Sequence, residues 1–337
     1  MRFVAWLDEI PDDELALTAG GKGASLCRLT RAGFAVPEAF IVCSEAFNEF
    51  MMASGLKDEV LAATGSIDFS NSTDSSLKAK QARDMITAAA IPSDIAQAIQ
   101  SFYIKLAGDL SAEDSEAEDL RAEEDESAVH PVAVRSSGTA EDLDDASFAG
   151  QMDTFLNVEG LDDVLRSIKE CWASLYNDSA LFYRREQGFS EHESSIAVVI
   201  QRMVASEKAG VMFTANPITK SADRCLIEGS WGLGEAIVSG IVTPDSYMAD
   251  KDGQLLEAFV SCKETMVVRK ADGSGVEEIE VPEQLQEAQV LDEDEIKELV
   301  ELAVRLEEYF EKPQDVEWAI ESKRLYLLQS RPITTLG

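Results

Sequence analysis

A stretch near the C-terminus constrains the fold most strongly, because apolar and polar side chains alternate along it in two runs. The runs 313–320 and 325–332 are separated by the polar residues 321–323, so we predict two strands joined in a hairpin. Successive side chains of a strand point to opposite faces. Asp315 and Glu317 are therefore expected on the face opposite the apolar residues of the first strand.

The second strand is expected to bring further polar groups to the same place. Strict alternation puts four of its side chains on one face: Leu325, Leu327, Gln329 and Arg331. With a three-residue loop, Asp315 lies opposite Gln329, and the polar side chains of both strands share a face. Carboxylate and amide oxygens suit Mg²⁺ and an arginine suits phosphate, so we predict a site for magnesium and a polyphosphate. The alternative is a surface hairpin with a polar outer face.

The charge balance excludes several classes of partner. The 337 residues include 29 basic and 64 acidic side chains, which gives a net charge of −35. Such a surface repels nucleic acid and anionic lipid, so we expect neither as a partner. An anionic ligand must then be attracted by a local basic cluster. The acidity fits a saline cytoplasm and equally a need for solubility, and both origins stay open.

The cysteines and the N-terminus bear on the cell compartment. Five cysteines are scattered without a Cys-x-x-Cys spacing, which argues against a disulfide framework or a zinc site. The first residues lack the apolar run of a signal peptide, and no stretch approaches the length of a membrane span. We therefore expect a soluble, cytoplasmic protein.

A glycine-rich segment near the N-terminus, residues 19–26, surrounds Lys22. Glycines let a backbone approach a ligand closely, and a lysine between them can reach a phosphate. The P-loop pattern Gly-x-x-x-x-Gly-Lys-Ser/Thr is absent. A segment of this kind can be a phosphate site, but taken alone it is more often a plain turn.

A strand followed by a loop of small residues forms a second candidate anion site. Residues 131–135 are an apolar strand that ends in Arg135, and the loop 136–142 is rich in Ser, Gly and Thr. Such a loop suits phosphates, and the guanidinium group needs a planar anion as partner. The preceding residues 109–127 are almost devoid of apolar side chains, so we predict a solvated acidic connector there.

The second half of the chain is predicted to contain mainly strands, with one long helix. Residues 196–204 form an apolar strand that feeds a short link, where an adenine can take backbone hydrogen bonds near Met203 and Val204. Periodicity does not separate this interpretation from ordinary sheet core. The helix predicted at 293–311 begins with a capping box from Asp292.

These segments occur together with several others in a fixed order. The matching segments are 20–23, 134–142, 147–151, 210–214, 232–235, 314–318 and 328–332. In order and along nearly the whole chain, they resemble the ATP-binding domain of the phosphoenolpyruvate synthase and pyruvate phosphate dikinase family. That family also includes the rifampicin phosphotransferases. The joint occurrence is far more specific than any single segment.

The resemblance implies an ATP-grasp fold of the α+β class, in which two lobes close on ATP. We expect residues 1–195 to form the N-terminal lobe, with the acidic connector at 109–128, and residues 196–337 to form the C-terminal lobe. The sequence departs from the family at Gly138, where alanine is common. This departure loosens the loop but removes no ligand.

The resemblance also implies ATP and Mg²⁺ as cofactors, and roles for individual residues. Lys22, Arg135 and Arg331 are expected to be catalytic, because they hold phosphates or stabilise charge on the transferring group. Glu317 and Gln329 are expected to ligate Mg²⁺. The other expected nucleotide contacts are Ser136, Gly138, Thr139, Gln201, Met203, Val204, Glu228 and Asp315.

In the family, ATP is split to AMP and phosphate, and a histidine on a separate carrier domain passes the phosphoryl group to an acceptor such as pyruvate. The histidines of this chain, His130 and His192, lack the Gly-Gly-x-x-x-His context of that carrier. We therefore expect an ATP-binding module whose partners are a histidine carrier domain and an acceptor-binding domain. By itself, such a module is not expected to form phosphoenolpyruvate.

Two alternatives to a pyruvate, water dikinase module stay open. The same module can serve another acceptor, such as an antibiotic. The chain can also be a non-catalytic nucleotide-binding module. A scaffold needs none of five residues that this chain retains, which counts against the last alternative: Lys22, Arg135, Glu317, Gln329 and Arg331.

Overall fold

The computed structural model describes residues 1–108, 131–139, 152–186, 188, 194–217, 219 and 221–333. The acidic connector, residues 140–151 and both histidines lie outside these described residues. The expectations that concern them stay predictions. Within the described residues, helices combine with antiparallel sheets, so the expected α+β class is confirmed.

The chain divides into two compact units. Unit 1 contains Met1–Arg28 and Glu38–Met203, and unit 2 contains Leu29–Pro37 and Val204–Gly337. The lobe boundary expected between residues 195 and 196 lies one strand before this division. The reason is that the strand beginning at Ile196 pairs on both sides within the sheet of unit 1.

Unit 1 is built on one antiparallel sheet with the strand order β1-β2-β5-β3-β4. Its strands are β1 (Val4–Trp6), β2 (Ala39–Val42), β3 (Val132–Gly138), β4 (Thr154–Val158) and β5 (Ile196–Arg202). Its helices are α1 (Leu15–Arg31), α2 (Ser44–Ala53), α3 (Leu56–Gly65), α4 (Ser72–Ala88), α5 (Ser93–Gly108), α6 (Leu161–Ser174) and α7 (Asp178–Glu186). The last residues of α1 fall in unit 2.

The two faces of the unit 1 sheet differ in chemistry. On one face, Val198 and Ile200 of β5 join a large apolar core with Phe40 and Trp172. The intervening residues of β5 point to the other face. Gln201 lies on that second face together with alternate residues of β3, and all of them are buried. The sheet is therefore covered on both sides, and polar groups are concentrated on the second side.

Unit 2 contains a six-stranded antiparallel sheet with the order β13-β12-β6-β7-β8-β9 and a separate pair, β10-β11. The strands are β6 (Lys208–Phe213), β7 (Arg224–Trp231), β8 (Asp245–Asp250), β9 (Leu255–Phe259), β10 (Thr265–Arg269), β11 (Val276–Glu280), β12 (Gln314–Glu321) and β13 (Arg324–Pro332). The helices are α8 (Glu235–Val238), α9 (Glu283–Gln286) and α10 (Glu293–Phe310). The predicted capping box of α10 is confirmed, because Asp292 accepts from the Glu295 amide and Glu295 accepts from the Asp292 amide.

Trp318 forms the centre of the apolar side of this sheet. It is fully buried and pairs with Gly210, which in turn pairs with Gly229. A Cβ built on Gly210 would lie 2.6 Å from Trp318 Cζ2 and 1.9 Å from the Glu228 carbonyl oxygen. The two glycines therefore leave the space that the indole ring occupies on the sheet.

A buried ion pair ties β8 to neighbouring segments. Lys263 Nζ lies 2.5 Å from Asp245 Oδ1, and both side chains are fully buried. The other oxygen, Asp245 Oδ2, accepts from the Tyr247 hydroxyl and from the Val290 amide, both at 2.9 Å. A buried pair is tolerable only when its remaining hydrogen-bonding capacity is used, as it is here.

Among the residues that the structure describes, no helix combines the length and the apolar character that crossing a bilayer requires.

Gly210→Ala is expected to destabilise unit 2, because the new methyl group meets both the Trp318 ring and backbone of β7. We expect a loss of about 3 kcal/mol in the free energy of unfolding, measured by urea titration. Gly65→Ala is the matched control, since no atom lies within 4 Å of its Cβ position in α3. The control is expected to change stability by less than about 1 kcal/mol. Equal effects of the two substitutions would contradict this account of the glycine.

Candidate functional site

The glycine-rich segment around Lys22 is a break inside a helix and not a loop. Gly20 has φ 68° and ψ −178°, which interrupts α1 between residues 15–19 and residues 21–31. Lys22 therefore lies in the first turn of the second helical piece. The first amides of a helix lack partners within the helix, and the helix dipole favours an anion at this end.

Ser137 of β3 contacts both sides of this break. Its hydroxyl donates to the Ala19 carbonyl at 2.7 Å and accepts from the Gly23 amide at 3.0 Å. A Cβ on Gly20 would lie 2.2 Å from the Ser137 carbonyl oxygen, so a side chain is excluded at position 20. The positive φ of Gly20 excludes it independently.

Arg135 lies on the same face of β3 as Ser137, two residues earlier. Its Nη1 donates to Gln201 Oε1 at 3.0 Å, and the two side chains are 8% and 2% exposed. Gln201 was expected at the adenine edge, yet its acceptor oxygen is used by Arg135. Its Nε2 is buried and has no acceptor among the described residues. Arg135 and Gln201 are thus joined by this hydrogen bond, and the Nε2 group of Gln201 remains available as a donor.

Three other expected contacts of unit 1 are engaged within the protein. Ser136 points to the face opposite Arg135, and its hydroxyl donates to the Asp153 carbonyl at 2.7 Å. Thr139 donates through its amide and its hydroxyl to the Ser195 carbonyl. Gly138 pairs with Ile196 in the sheet. The expectation that the ligand loop begins at residue 136 is wrong, because β3 continues to Gly138 and alternation turns Ser136 away.

The link after β5 carries the last expected contacts with the base. The Met203 amide donates to the Pro131 carbonyl at 3.0 Å, so this N–H is used within unit 1. Val204 begins unit 2, where it joins a small apolar cluster with Ala209, Ala319 and Tyr326. The structure therefore assigns these two neighbouring residues to different units.

The register of the C-terminal hairpin differs from the expected one. Asp315 pairs with Arg331, and Glu317 pairs with Gln329, whereas Asp315 was expected opposite Gln329. The turn has two residues, Ser322 and Lys323, with φ 50° and 64°. Positive φ at both central residues is typical of a tight hairpin turn whose twist matches the strands.

A β-bulge explains the rest of the difference. Trp318 pairs with Leu327 and Glu317 pairs with Gln329, so Leu328 is an extra residue in β13. Leu325 and Leu327 consequently share the face of Ile320 and Trp318. The expectation that all four alternate residues of β13 share one face is wrong. The polar side chains of the two strands do share one face, as expected, but each pairs across the hairpin with a different residue from the one expected.

Arg331 and Asp315 form a close ion pair on the polar face. Arg331 Nε and Nη2 lie 2.9 Å and 2.8 Å from Asp315 Oδ2. Burial raises the pKa of Asp315, the Arg331 guanidinium lowers it, and Glu317 raises it again. Asp315 therefore orients Arg331, whose side chain stays 41% exposed. An oriented and accessible guanidinium is suited to bind an anion.

Carboxylates crowd the polar face beside this pair. Val211 pairs with both Glu317 and Glu228, so these residues lie in one row across three strands. Burial raises the pKa of Glu228. Burial raises the pKa of Glu235 as well, and Glu317 adds to this shift. Burial and neighbouring negative charge disfavour the ionised form of these carboxylates. A bound cation offsets this cost.

The available oxygen donors suit Mg²⁺, which takes only some of its ligands from the protein. They do not suit a metal ion whose ligands are all protein side chains. Among the described residues, no three His, Cys, Asp or Glu side chains are grouped closely enough to hold a metal ion. Glu317 and Gln329 face each other across the hairpin and offer oxygen ligands. Magnesium is commonly bound through one or two carboxylates, with phosphate oxygens and water completing its shell.

Two residues, one in each unit, had no individual role in the prediction from the sequence. Ser137 was hidden because the strand was expected to end at Arg135. Glu235 lies at the start of α8, where burial and then the charge of Glu317 raise its pKa. The segment Gly-Leu-Gly-Glu at 232–235 could have singled out Glu235, because there a half-buried carboxylate follows a glycine-rich turn.

Comparison with known families identifies the domain. The family described as pyruvate phosphate dikinase, AMP/ATP-binding domain, matches residues 16–337. The chain belongs to this family. The expected ATP-grasp type of fold and the expected family are therefore confirmed.

Curated relatives agree over the whole chain. The chain is 45% identical to a probable phosphoenolpyruvate synthase of Methanothermobacter thermautotrophicus, covering 100% of this chain and 47% of that protein. It is 43% identical to a probable phosphoenolpyruvate synthase of Methanocaldococcus jannaschii, covering 100% and 27%. It is also 38% identical to the rifampicin phosphotransferase of Bacillus cereus, covering 99% and 36%. The chain thus spans less than half the length of these relatives.

Glu235→Gln is expected to stabilise the chain at neutral pH. The raised pKa means that the ionised carboxylate is unfavourable in the folded state, and that this cost disappears as the pH falls and the group binds a proton. In metal-free buffer we expect a gain of about 0.5 kcal/mol near pH 7.5, allowing for solvent screening, and no gain near about pH 4. Urea unfolding of the wild type and the variant at both pH values measures this difference in the free energy of unfolding.

The exposed carboxylate of Glu257 in β9 provides the control. Glu257→Gln is expected to leave the free energy of unfolding unchanged within about 0.3 kcal/mol at both pH values. A gain for Glu235→Gln that persists at acid pH would show that its origin is not the charge.

Proposed function

We propose that this chain is the ATP-binding module that initiates phosphotransfer in a phosphoenolpyruvate synthase-like dikinase. ATP is split to AMP and phosphate, and the phosphoryl group passes to a histidine of a carrier domain, with pyruvate as acceptor. The observation that carries the proposal is the pairing of Glu317 with Gln329 beside the Arg331–Asp315 pair. In this proposal Glu317 and Gln329 are the cation ligands, and they lie next to an oriented guanidinium on the same hairpin.

In unit 1, Lys22 and Arg135 hold phosphate oxygens. Lys22 stands at the start of a helical piece, where the backbone also favours an anion. Arg135 is fixed by Gln201, which lowers the entropy lost when the guanidinium binds a phosphate. The Nε2 group of Gln201 remains as a donor toward an acceptor atom of the nucleotide.

In unit 2, Glu317 and Gln329 would hold Mg²⁺, supported by the neighbouring carboxylates. A bound magnesium ion would neutralise phosphate charge and orient the phosphate chain. Arg331, oriented by Asp315, stabilises the negative charge that develops on the transferring group. Positioning and charge neutralisation are the main requirements of phosphoryl transfer, and these side chains supply both.

The acceptor and the compartment belong to the proposal as well. Two relatives named as probable phosphoenolpyruvate synthases support pyruvate. The rifampicin phosphotransferase relative, at 38% identity, supports an antibiotic acceptor as the second candidate. Cytoplasmic location fits the five cysteines, all of which are free thiols.

Thermal unfolding with and without Mg-ATP tests the nucleotide and metal assignments. A ligand that binds only the folded chain stabilises it by about 2.7 kcal/mol at a concentration 100 times its Kd. We expect a clear rise in Tm for the wild type and a much smaller rise for Glu317→Ala, because a cation ligand is removed.

Glu257→Ala serves as the control, since it removes an exposed carboxylate of the same sheet. It is expected to keep the full rise in Tm. The absence of any rise in the wild type would refute ATP binding by this chain. A full rise in Glu317→Ala would remove Glu317 from the metal site.

A further inference from the structure

The second helical piece of α1 lacks the usual source of its N-terminal cap. Residues 21–31 follow the non-helical Gly20, which therefore occupies the N-cap position. An N-cap side chain normally accepts from the amide two or three residues further on. Glycine has no side chain to do so, and position 20 has no room for one, because its Cβ would lie 2.5 Å from Ser137 Oγ.

Ser137 supplies this cap from a distant strand. Its Oγ accepts from the amide of Gly23, which is the third residue after the N-cap position. The same hydroxyl donates to Ala19, the last residue before the break. One fully buried hydroxyl thus uses its proton on one helical piece and a lone pair on the other.

We propose that Ser137 is a positioning residue for Lys22: it caps the second helical piece in place of Gly20 and thereby fixes the start of that piece for a phosphate group. This inference rests on the proposed function, because it assumes that Lys22 binds phosphate. By binding the Gly23 amide, Ser137 fixes the first turn of this helical piece and with it the place from which the Lys22 side chain extends.

The placement of Ser137 on β3 adds a second consequence. Arg135 lies two residues earlier on the same face of this strand. A single strand therefore holds the guanidinium directly and the helix start through the serine hydroxyl. The separation between Arg135 and Lys22 is set by β3, as binding of neighbouring phosphate oxygens requires.

The contacts explain why a serine suits this position. Alanine would leave the Gly23 amide and the Ala19 carbonyl without the shared hydroxyl. The backbone approaches closely here, since a Cβ at Gly20 or Gly23 would lie 2.5 Å or 3.7 Å from Ser137 Oγ. Serine combines a small volume with both a donor and an acceptor.

The test compares ATP with adenosine, because only ATP carries the phosphates that Lys22 and Arg135 would hold. Dissociation constants of Mg-ATP and of adenosine are measured by titration calorimetry for the wild type and for Ser137→Ala. Loss of a helix cap is expected to weaken Mg-ATP binding by about tenfold. Adenosine binding is expected to stay within about twofold, since adenosine carries no phosphate for the helix start and Lys22 to bind.

Ser44→Ala is the matched control. The Ser44 hydroxyl, which is also buried, donates to the Leu17 carbonyl at 2.6 Å, on the piece of α1 before the break. Its loss is expected to lower stability and to leave the ratio of the two dissociation constants unchanged. Should Ser137→Ala fail to fold, Ser137→Cys replaces it, because a thiol is only slightly larger than the hydroxyl but is a weak donor and a weak acceptor.

The outcomes separate the inference from the function on which it rests. A wild type that binds Mg-ATP no more tightly than adenosine would overturn the phosphate role of the site and the inference together. Tight Mg-ATP binding by the wild type, with an unchanged ratio in the Ser137 variant, would overturn the inference alone. An equal loss for both ligands would also overturn it, since that pattern indicates general destabilisation.

Discussion

The polar face of unit 2 depends on one extra residue in the last strand. Without the bulge at Leu328, the alternation that buries Leu325 and Leu327 would also direct Gln329 and Arg331 into the apolar side of the sheet. Burying an arginine there would be strongly unfavourable, because a charge in the core lacks solvation. The bulge shifts the face of the strand by one residue, so that the same hairpin contributes a core and a binding surface.

Both units use glycine to bring larger groups close to a backbone. In unit 2, Gly210 and Gly229 leave room for Trp318, which anchors the hairpin from its apolar side. In unit 1, Gly20 lets the backbone of α1 approach Ser137. In each case the missing side chain permits a close contact, and the candidate site residues are charged or polar neighbours of that contact.

Much of this arrangement follows from the sequence. The alternation in the hairpin predicts its strands and the common face of Asp315 and Glu317, and the capping box of α10 is recognisable from Asp292 and its spacing. The bulge at Leu328 is not recognisable from the sequence, because its position depends on the turn at Ser322 and on the packing of Trp318. The role of Ser137 is hidden for a similar reason: its partners, Ala19 and Gly23, are far away in the chain.

The error in the predicted end of β3 has a simpler cause. Once β3 extends to Gly138, period-two alternation separates Ser136 from Arg135 and Ser137 without further information. The strand end was the uncertain quantity, since serine and glycine are typical of turns as well as tolerated in buried strands. Contacts that depend on a strand boundary were therefore less predictable than contacts within a strand.

The contact between Gly20 and Ser137 also limits how this domain can evolve. A serine at position 20 would bring its own cap, but its Cβ would lie 2.2 Å from the Ser137 carbonyl oxygen, a backbone atom that any residue at position 137 keeps. Position 20 is therefore restricted to glycine whatever residue occupies position 137. The cap of the second helical piece must then come from another segment, and Ser137 supplies it. Selection that preserves this helix start is expected to act on two residues that lie far apart in the sequence.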